Sequence, residues 1–566
     1  PRIGRCVHDP AHRSDMRAPG RRRRGAFTCG PAPAVTWVAF LEAQDSIEVH
    51  LRHILTQDGN WKISFTPKLS TVMNYGDFDF DGSNEIVVNT SSGIMFYTAE
   101  GVQKTAGMPQ VPLYNFRVPP AVGDINGDSL DDLVAIAKIG GTGRLYAYRS
   151  DGQSFNTVLP AEPDVDRYNA ENVHLYPVVF LKDVNGDGKD EIFYFQTPNC
   201  WMYDSECSLI MQVGDNLLEG IRHFISDDSD GDGIDELYSS DRFLKLHNLS
   251  GILVDSFDLS MGLVSDCESR GIKAVDIDAD GKREIIVYML INDTQNTYWV
   301  YAFDENLALK DGWPHDTGID TYLVPPAPIF GDFDGDGIPE YFSAFYELVE
   351  CMVYGWSIDG SYYIPGSGSL RFTAPDHPRR IPSSIMANID GDYHPELIAE
   401  VKRDIFSNYD YQRLVAWDYL GNPLEGWPIV VRDKSQTYTN GGASVPTVGD
   451  ISGNDRADMV FSTSANELVF LSLDVLHNPN HSPVPIWRYN RKLNNTSNDP
   501  VEFGCGDTNG SGSVNISDAV LLINYIFIGG DPTVSPESGD TNCDGDVNIS
   551  DAVVIINYVF IGGYAP

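Results

Sequence analysis

One thirteen-residue pattern recurs eight times along this 566-residue chain, from GDFDFDGSNEIVV (76–88) to GDISGNDRADMVF (449–461). The first loop position of each copy falls at 77, 124, 183, 228, 276, 332, 388 and 450, in steps of 45 to 62 residues. A period of about 50 residues is longer than that of tetratricopeptide, ankyrin or leucine-rich units and suits a four-stranded propeller blade. Each loop leads into a β-rich run such as EIVV (85–88) or EIIV (284–287). A second run follows, as in LYAYRSDG (145–152), VYAFDENL (300–307) and LVAWDYLG (414–421). These runs alternate apolar and polar residues and end in turn formers, the mark of antiparallel hairpins. GWP at 312–314 and 426–428 stands where a blade turns toward its outer edge. The pattern predicts an all-β propeller of eight blades, or of seven if one loop lies in an insertion. No long helix is expected before residue 499.

Oxygen-bearing side chains occupy positions 1, 3, 5 and 9 of each loop, and the carbonyl of position 7 is available. Alternate residues of a tight loop face one centre, so this spacing wraps oxygens around a hard cation. Calcium accepts six to eight oxygens in irregular geometry, whereas magnesium demands a near-ideal octahedron. No Cys or His cluster offers a softer site. Without a cation, three carboxylates about 5 Å apart repel by ~3 kcal/mol per pair at an effective dielectric near 20, or about 10 kcal/mol per loop. One such loop would read as a solvated turn; eight at blade spacing do not.

Four loops carry a full acidic set: Asp77, Asp79, Asp81 and Glu85; Asp228, Asp230, Asp232 and Glu236; Asp276, Asp278, Asp280 and Glu284; Asp332, Asp334, Asp336 and Glu340. Three carry one Asn: Asp124, Asn126, Asp128 and Asp132; Asp183, Asn185, Asp187 and Glu191; Asn388, Asp390, Asp392 and Glu396. The eighth has Asp450, Ser452, Asn454 and Asp458 with Arg456 nearby, and is expected to be weak or empty. The expectation is therefore about seven calcium ions in this part of the chain. The whole sequence has 81 acidic against 39 basic residues, a net charge of −42. Such a body repels polyanions, which excludes general nucleic-acid binding. No run of about 20 apolar residues predicts a membrane span.

These motifs resemble the FG-GAP/VCBS repeat of the integrin α-subunit propeller and of many secreted bacterial proteins. The resemblance covers about residues 46–498 and implies a closed propeller with calcium held in hairpin loops on one face. Its repeated DxDxDG-x-x-[DE] loop is highly specific.

After Lys492 the sequence has no Lys or Arg, and two near-copies follow 33 residues apart: GDTNGSGSVNISDAVLLINYIFIGG (506–530) and GDTNCDGDVNISDAVVIINYVFIGG (539–563). Both contain a twelve-residue loop with Gly at position six and EF-hand ligand spacing, closed by Asp instead of Glu. The first offers Asp507, Asn509, Ser511, Asn515 and Asp518; the second offers Asp540, Asn542, Asp544, Asn548 and Asp551. Each leads into a helix whose apolar stripe is Ala519, Leu522, Ile523 and Ile526, or Ala552, Ile555, Ile556 and Val559, at i, i+3, i+4, i+7. The expected unit, residues 499–566, is a small α domain of paired EF-hand-like loop–helix elements holding two calcium ions. It resembles a type I dockerin, with Asn-Tyr at 524–525 and 557–558. That resemblance implies calcium-dependent folding and a cohesin-type partner on a scaffold or cell surface, with Ile516, Ser517, Ile549 and Ser550 in the partner-recognition region. Ser511 departs from the usual Asp. An exposed Tyr/Ile/Phe face suggests that the tail meets a partner.

Residues 1–45 differ from the rest: eight of the first 24 are Arg. They are expected to be a basic tail or, starting at Met16, an imperfect secretory leader. Among the eight Cys, 200 with 207 and 505 with 543 are each plausible disulfide pairs in an oxidising compartment, and buried free thiols are the alternative. No GxSxG, HExxH or phosphate loop is present, and His223 and His394, beside acidic loops, read as surface residues. The sequence reading is thus a secreted or surface-attached bacterial calcium propeller that binds an unidentified protein or glycan and docks through a dockerin. One rival is a polysaccharide lyase or glycoside hydrolase of a cellulosome-like assembly, since acid pairs also cleave glycans. The other is a structural adhesin without a cohesin partner.

Overall fold

The computed structural model describes residues 59–561, apart from intervening stretches that are chiefly 66–68, 112–118, 156–177, 215–220, 262–265, 321–327, 364–383, 403–411, 433–444, 495–505 and parts of the two C-terminal loops. The tail or leader expected over residues 1–45 lies outside them, as do Cys505 and Cys543. Among the described residues, thirty strands (β1–β30) form eight antiparallel sheets, six of four strands and two of three. Eight blades are therefore present, the larger of the two expected numbers.

Each blade is a meander, and in most of them the first strand is short and largely buried. Examples are β2 (Asn74–Gly76), β6 (Ala121–Gly123), β9 (Val178–Lys182), β21 (Ile329–Gly331), β24 (Ser384–Ala387) and β28 (Thr447–Gly449). The acidic loop joins this strand to the second one, such as β3 (Glu85–Thr90), all six of whose residues are buried. Burial on both faces explains the uninterrupted apolar runs after each loop, because neighbouring sheets pack face to face. Alternate residues of a strand serve opposite neighbours. Val87 packs with Val122 and Leu133 of blade 2, while Ile86 and Val88 pack with Val460 and Leu468 of blade 8.

The ring closes with chain from both ends. β1 (Trp61–Ser64) pairs antiparallel with β30 (Glu467–Leu476), completing the blade formed by β28, β29 (Arg456–Ser462) and β30. Trp61 stacks on Phe470 with centroids 5.4 Å apart, and its Nε1 donates to Ala99 of blade 1. The closure removes a free sheet edge and joins segments about 400 residues apart.

Beyond the last blade the chain touches the loop ends of several innermost strands. Val484 exchanges two backbone hydrogen bonds with Met386 of β24. The Arg491 carbonyl accepts from Val122 of β6, and that of Lys492 accepts from Leu181 of β9. A side chain on Gly331 would collide with Pro483, so residue 331 has to be small.

The C-terminal helices are α1 (Ile516–Ile528), the short α2 (Pro536–Gly539) and α3 (Ile549–Ile561). Ala519, Leu522, Ala552 and Ile555 are fully buried between α1 and α3, with Ile523, Ile526, Ile556 and Val559 around them. Both predicted stripes thus face each other.

Cys200 and Cys207 are buried free thiols in this structure, so the alternative without a disulfide holds for them. Burial raises both thiols, Cys207 to about 12.

Candidate functional site

The eight propeller loops share one internal framework. At position 2 a mostly apolar residue (Phe78, Ile125, Val184, Ile277, Phe333, Ile389 and Ile451, with Ser229 in the fourth loop) is buried in the blade. Its backbone N–H donates to the carboxylate of position 9 in all eight loops, at 2.8–3.2 Å. The position 1 carboxylate accepts from the N–H of position 6 at 2.7–3.0 Å in seven loops. In the seventh, Asn388 accepts instead from Gly391. Among the described residues, positions 4 and 6 take left-handed φ, which explains the glycines there; Phe80, Ser129 and Asp455 adopt it without being glycine. The position 9 acid thus spends one oxygen on the loop; in the second loop Asp132 gives the other to the Ser150 N–H.

Three carboxylates converge in five loops: Asp77, Asp79 and Glu85; Asp228, Asp230 and Glu236; Asp276, Asp278 and Glu284; Asp332, Asp334 and Glu340; Asp390, Asp392 and Glu396. One oxygen from each lies within 4.8 Å of the others in its set. This all-oxygen donor set fits a hard cation such as calcium. The position 5 acids Asp81, Asp128, Asp187, Asp232, Asp280 and Asp392 each accept from the N–H two residues on. Asp336 lies outside the described residues. In the second and third loops the amides of Asn126 and Asn185 stand 3.4 and 3.0 Å from Asp132 and Glu191. In the eighth loop Ser452 donates to Asp458 at 2.5 Å, and Asp450 accepts from Asn454 and Asp455.

Burial dominates the acidity of the position 9 carboxyls. Burial, with Asp390 beside it, pushes the Glu396 carboxyl up to about 9. Burial likewise lifts Asp132 and Glu191 to about 7, against the hydrogen bonds they accept. Burial also raises Glu236 and Asp458. A carboxylate beside a bound cation would instead titrate low.

Position 8, which the spacing argument passed over, ties five of the eight loops to the loop before them; in the other three it is Pro339, Pro395 or Ala457. Asp131 accepts from the Asp77 N–H at 2.8 Å, and Arg283 donates to Asp227 at 2.8 Å. The N–H groups of Asp190 and Asp235 donate to Asp124 and Val184, and Asn84 donates to Asp450 across the ring closure. Two of these acids also meet the segment beyond the last blade: Arg491 pairs with Asp131 at 2.5 Å, and Lys492 with Asp190 at 2.6 Å. The chemistry of position 8 was visible in the sequence, but its partners come from other blades.

In the C-terminal loops, Asp507, Asn509, Ser511, Asp540 and Asp544 lie outside the described residues. The remaining candidates have a second role. Asn515 Oδ1 accepts from the Ser517 N–H at 2.8 Å, while Asp518 accepts from the Asn515 N–H at 2.7 Å. Asn548 and Asp551 repeat this at 2.9 and 2.8 Å. Each is a reciprocal helix cap that starts α1 or α3. Asn542 donates its N–H to Asp551, while Thr508 and Thr541 donate to the carbonyls of Asp518 and Asp551. The two copies expose matching apolar residues: Ile516 and Ile549 at 42%, Val520 and Val553 at 48% and 47%, Phe527 and Phe560 at 65% and 66%.

Comparison with known proteins gives two family matches. Residues 505–560 match the dockerin type I domain, and residues 271–343 match the FG-GAP-like repeat. No curated protein matches the chain. Among solved structures it is similar to the V. cholerae biofilm matrix protein Bap1, at 12% identity over 80% of this chain and 93% of that one, with a TM-score of 0.46. It is also similar to rhamnogalacturonan lyase YesW, at 14% identity over 79% and 96%, TM-score 0.40. A third is the WD40 domain of SCAP from fission yeast, at 10% identity over 74% and 99%, TM-score 0.40. These distant likenesses carry no argument about ligand or activity. Dockerin domains bind calcium and imply docking to a cohesin-type partner, and the two families together suggest an extracellular protein. No described helix is long and apolar enough to cross a membrane. The chain thus carries FG-GAP-like repeats in an eight-bladed β-propeller, followed by a type I dockerin domain.

Proposed function

We propose that this is a secreted recognition protein: residues 46–498 form a calcium-stabilised propeller that binds a protein or glycan, and residues 499–566 attach it to a cohesin-bearing scaffold or cell surface. The observation that carries the docking half is the duplicated, outward-facing Ile, Val and Phe set on α1 and α3 of a domain matching the type I dockerin. Exposed apolar patches of this kind mark interaction surfaces. The calcium half rests on the convergent carboxylates and their all-oxygen donor chemistry. In this reading the ligands are the residues at positions 1, 3, 5 and 9 of the first seven propeller loops and at positions 1, 3, 5, 9 and 12 of the dockerin loops.

Capture of the full chain on immobilised type I cohesins, in calcium and in excess EDTA, tests the docking. Binding in calcium that EDTA abolishes is expected; equal or no capture in both would refute it. A glycan and protein array probed with the full chain then reports the propeller's ligand. Depolymerisation of an arrayed polysaccharide would replace recognition by catalysis.

A further inference from the structure

The five convergent loops are not alike. In blade 1, Lys104 Nζ lies 2.5 Å from Asp79, 2.5 Å from Glu85 and 3.3 Å from Asp81. In blade 5, Lys310 Nζ lies 2.8 Å from Asp278 and 2.6 Å from Glu284. Each amine therefore bridges positions 3 and 9 of its own blade's loop, the acids whose convergence would otherwise call for an ion. The two lysines also occupy one register position. Each comes six residues after the residue that opens the hairpin turn between the blade's third and fourth strands, Thr98 or Asp304. Lys310 donates its N–H to Ala302, and Phe155, Tyr363 and Leu424 make the same backbone bond in blades 2, 6 and 7. In those blades an aromatic or aliphatic residue stands where blades 1 and 5 carry a cation. The same contact arises twice, from separate stretches of sequence.

We infer that Lys104 and Lys310 are tethered cations that complete the acidic loops of blades 1 and 5, so that these two loops close without a metal ion. An ammonium ion supplies one positive charge and directed N–H donors to the carboxylates, and it pays no entropy of ion capture because it is covalently held. Calcium could enter such a loop only by expelling the lysine, against the charge-assisted hydrogen bonds on both acids. Two of the four loops with a full acidic set are then those needing no ion. Of the seven loops assigned calcium in the proposed function, the second, third, fourth, sixth and seventh keep it, which narrows that reading to five propeller ions; the inference rests on its calcium half.

The test is calcium stoichiometry of the full chain by native mass spectrometry and by elemental analysis after dialysis against calcium. Lys104→Met and Lys310→Met should each gain one ion per chain over wild type, and the double variant two; circular dichroism checks folding. Lys104→Gln and Lys310→Gln provide a second pair that removes the charge while keeping polarity. Variants that fold and gain no ion, with wild-type binding above the dockerin's own pair, would overturn the lysine assignment alone. If neither wild type nor variants bind calcium beyond that pair, the calcium reading of the propeller falls, and this inference with it.

Discussion

The propeller loops and the C-terminal loops share an oxygen spacing but stand on very different amounts of buried structure. A propeller loop is rooted through its position 2 residue in an interblade cluster: Ile125 and Val184, for example, belong to one that runs across three blades. The C-terminal loops share a core of four fully buried side chains, Ala519, Leu522, Ala552 and Ile555. A core that small supplies no more than about 3–5 kcal/mol. The same ligand chemistry therefore does two jobs. On the proposed reading, a propeller cation would neutralise charge on a scaffold that packing already holds, whereas in the dockerin the ions would be part of what makes the fold net favourable.

The largest expected effect follows directly. Exhaustive chelation of the full chain should bring hydrogen-exchange protection of α1 and α3 close to zero while β3 and its neighbours stay protected. Equal loss in both regions would break the contrast. A matched pair of core truncations sharpens it. Leu468 and Leu522 are both fully buried, and Leu→Ala at either should cost about 2–5 kcal/mol. At Leu468 this lowers the propeller's melting temperature; at Leu522 it consumes the dockerin's whole margin and abolishes cohesin capture even in calcium.

The parts of this contrast that could be read from sequence are those written within a dozen residues. Spacing at positions 1, 3, 5 and 9 located the loops, their recurrence counted the blades, and the i, i+3, i+4, i+7 stripes paired the two helices. Contacts that join distant segments were not legible. Nothing local says that Trp61 closes a blade made by residues 447–476, that Arg491 and Lys492 reach Asp131 and Asp190, or that Lys104 enters a loop some twenty residues before it. The first two pairings follow from ring closure, which brings blade 8 beside blade 1 only in three dimensions, and the third from the way blade 1 folds its fourth strand back over its own loop. The capping role of Asn515 and Asn548 was legible in principle, because Asn followed three residues later by Asp and an apolar run is a helix-start signal; the ligand reading of the same residues overshadowed it.

Acidity gives a further test of the propeller loops. In EDTA the buried propeller acids titrate above the ordinary carboxylate range of about 4: Glu396 near 9, Asp132 and Glu191 near 7. A carboxyl whose folded value is raised favours folding when protonated, so its contribution is fully present below pH ~4 and is lost as pH rises through its folded value. The calcium-free propeller should therefore melt a few degrees higher at pH 5 than at pH 8, and saturating calcium should flatten or reverse that slope. Glu396→Gln isolates one group: melting temperature rises in EDTA and falls in calcium, each by the equivalent of ~1–3 kcal/mol. A change of the same sign in both conditions would mean that Glu396 faces no ion.

The smallest effect asks how little it takes to unsettle each region. Asn515 caps α1 through the Ser517 N–H, and its own N–H is held by Asp518. Asn515→Ala should cost about 0.5–2 kcal/mol, while Asn515→Asp keeps an accepting oxygen and restores the cap. In the propeller, the pair between Lys62 and Glu467 spans the closing strands at 3.1 Å with Lys62 largely in water, and Lys62→Met should cost under about 1 kcal/mol. The two changes differ by about a factor of two in energy, but their consequences should diverge more widely. Half the margin of a four-residue core is a measurable unfolded population, read as weakened cohesin capture at 37 °C, while the ring loses an amount its melting curve scarcely registers. If Asn515→Ala left capture untouched at that temperature, the dockerin would have stability to spare beyond its ions and its core, and the contrast between the two regions would have to be drawn from something other than buried area.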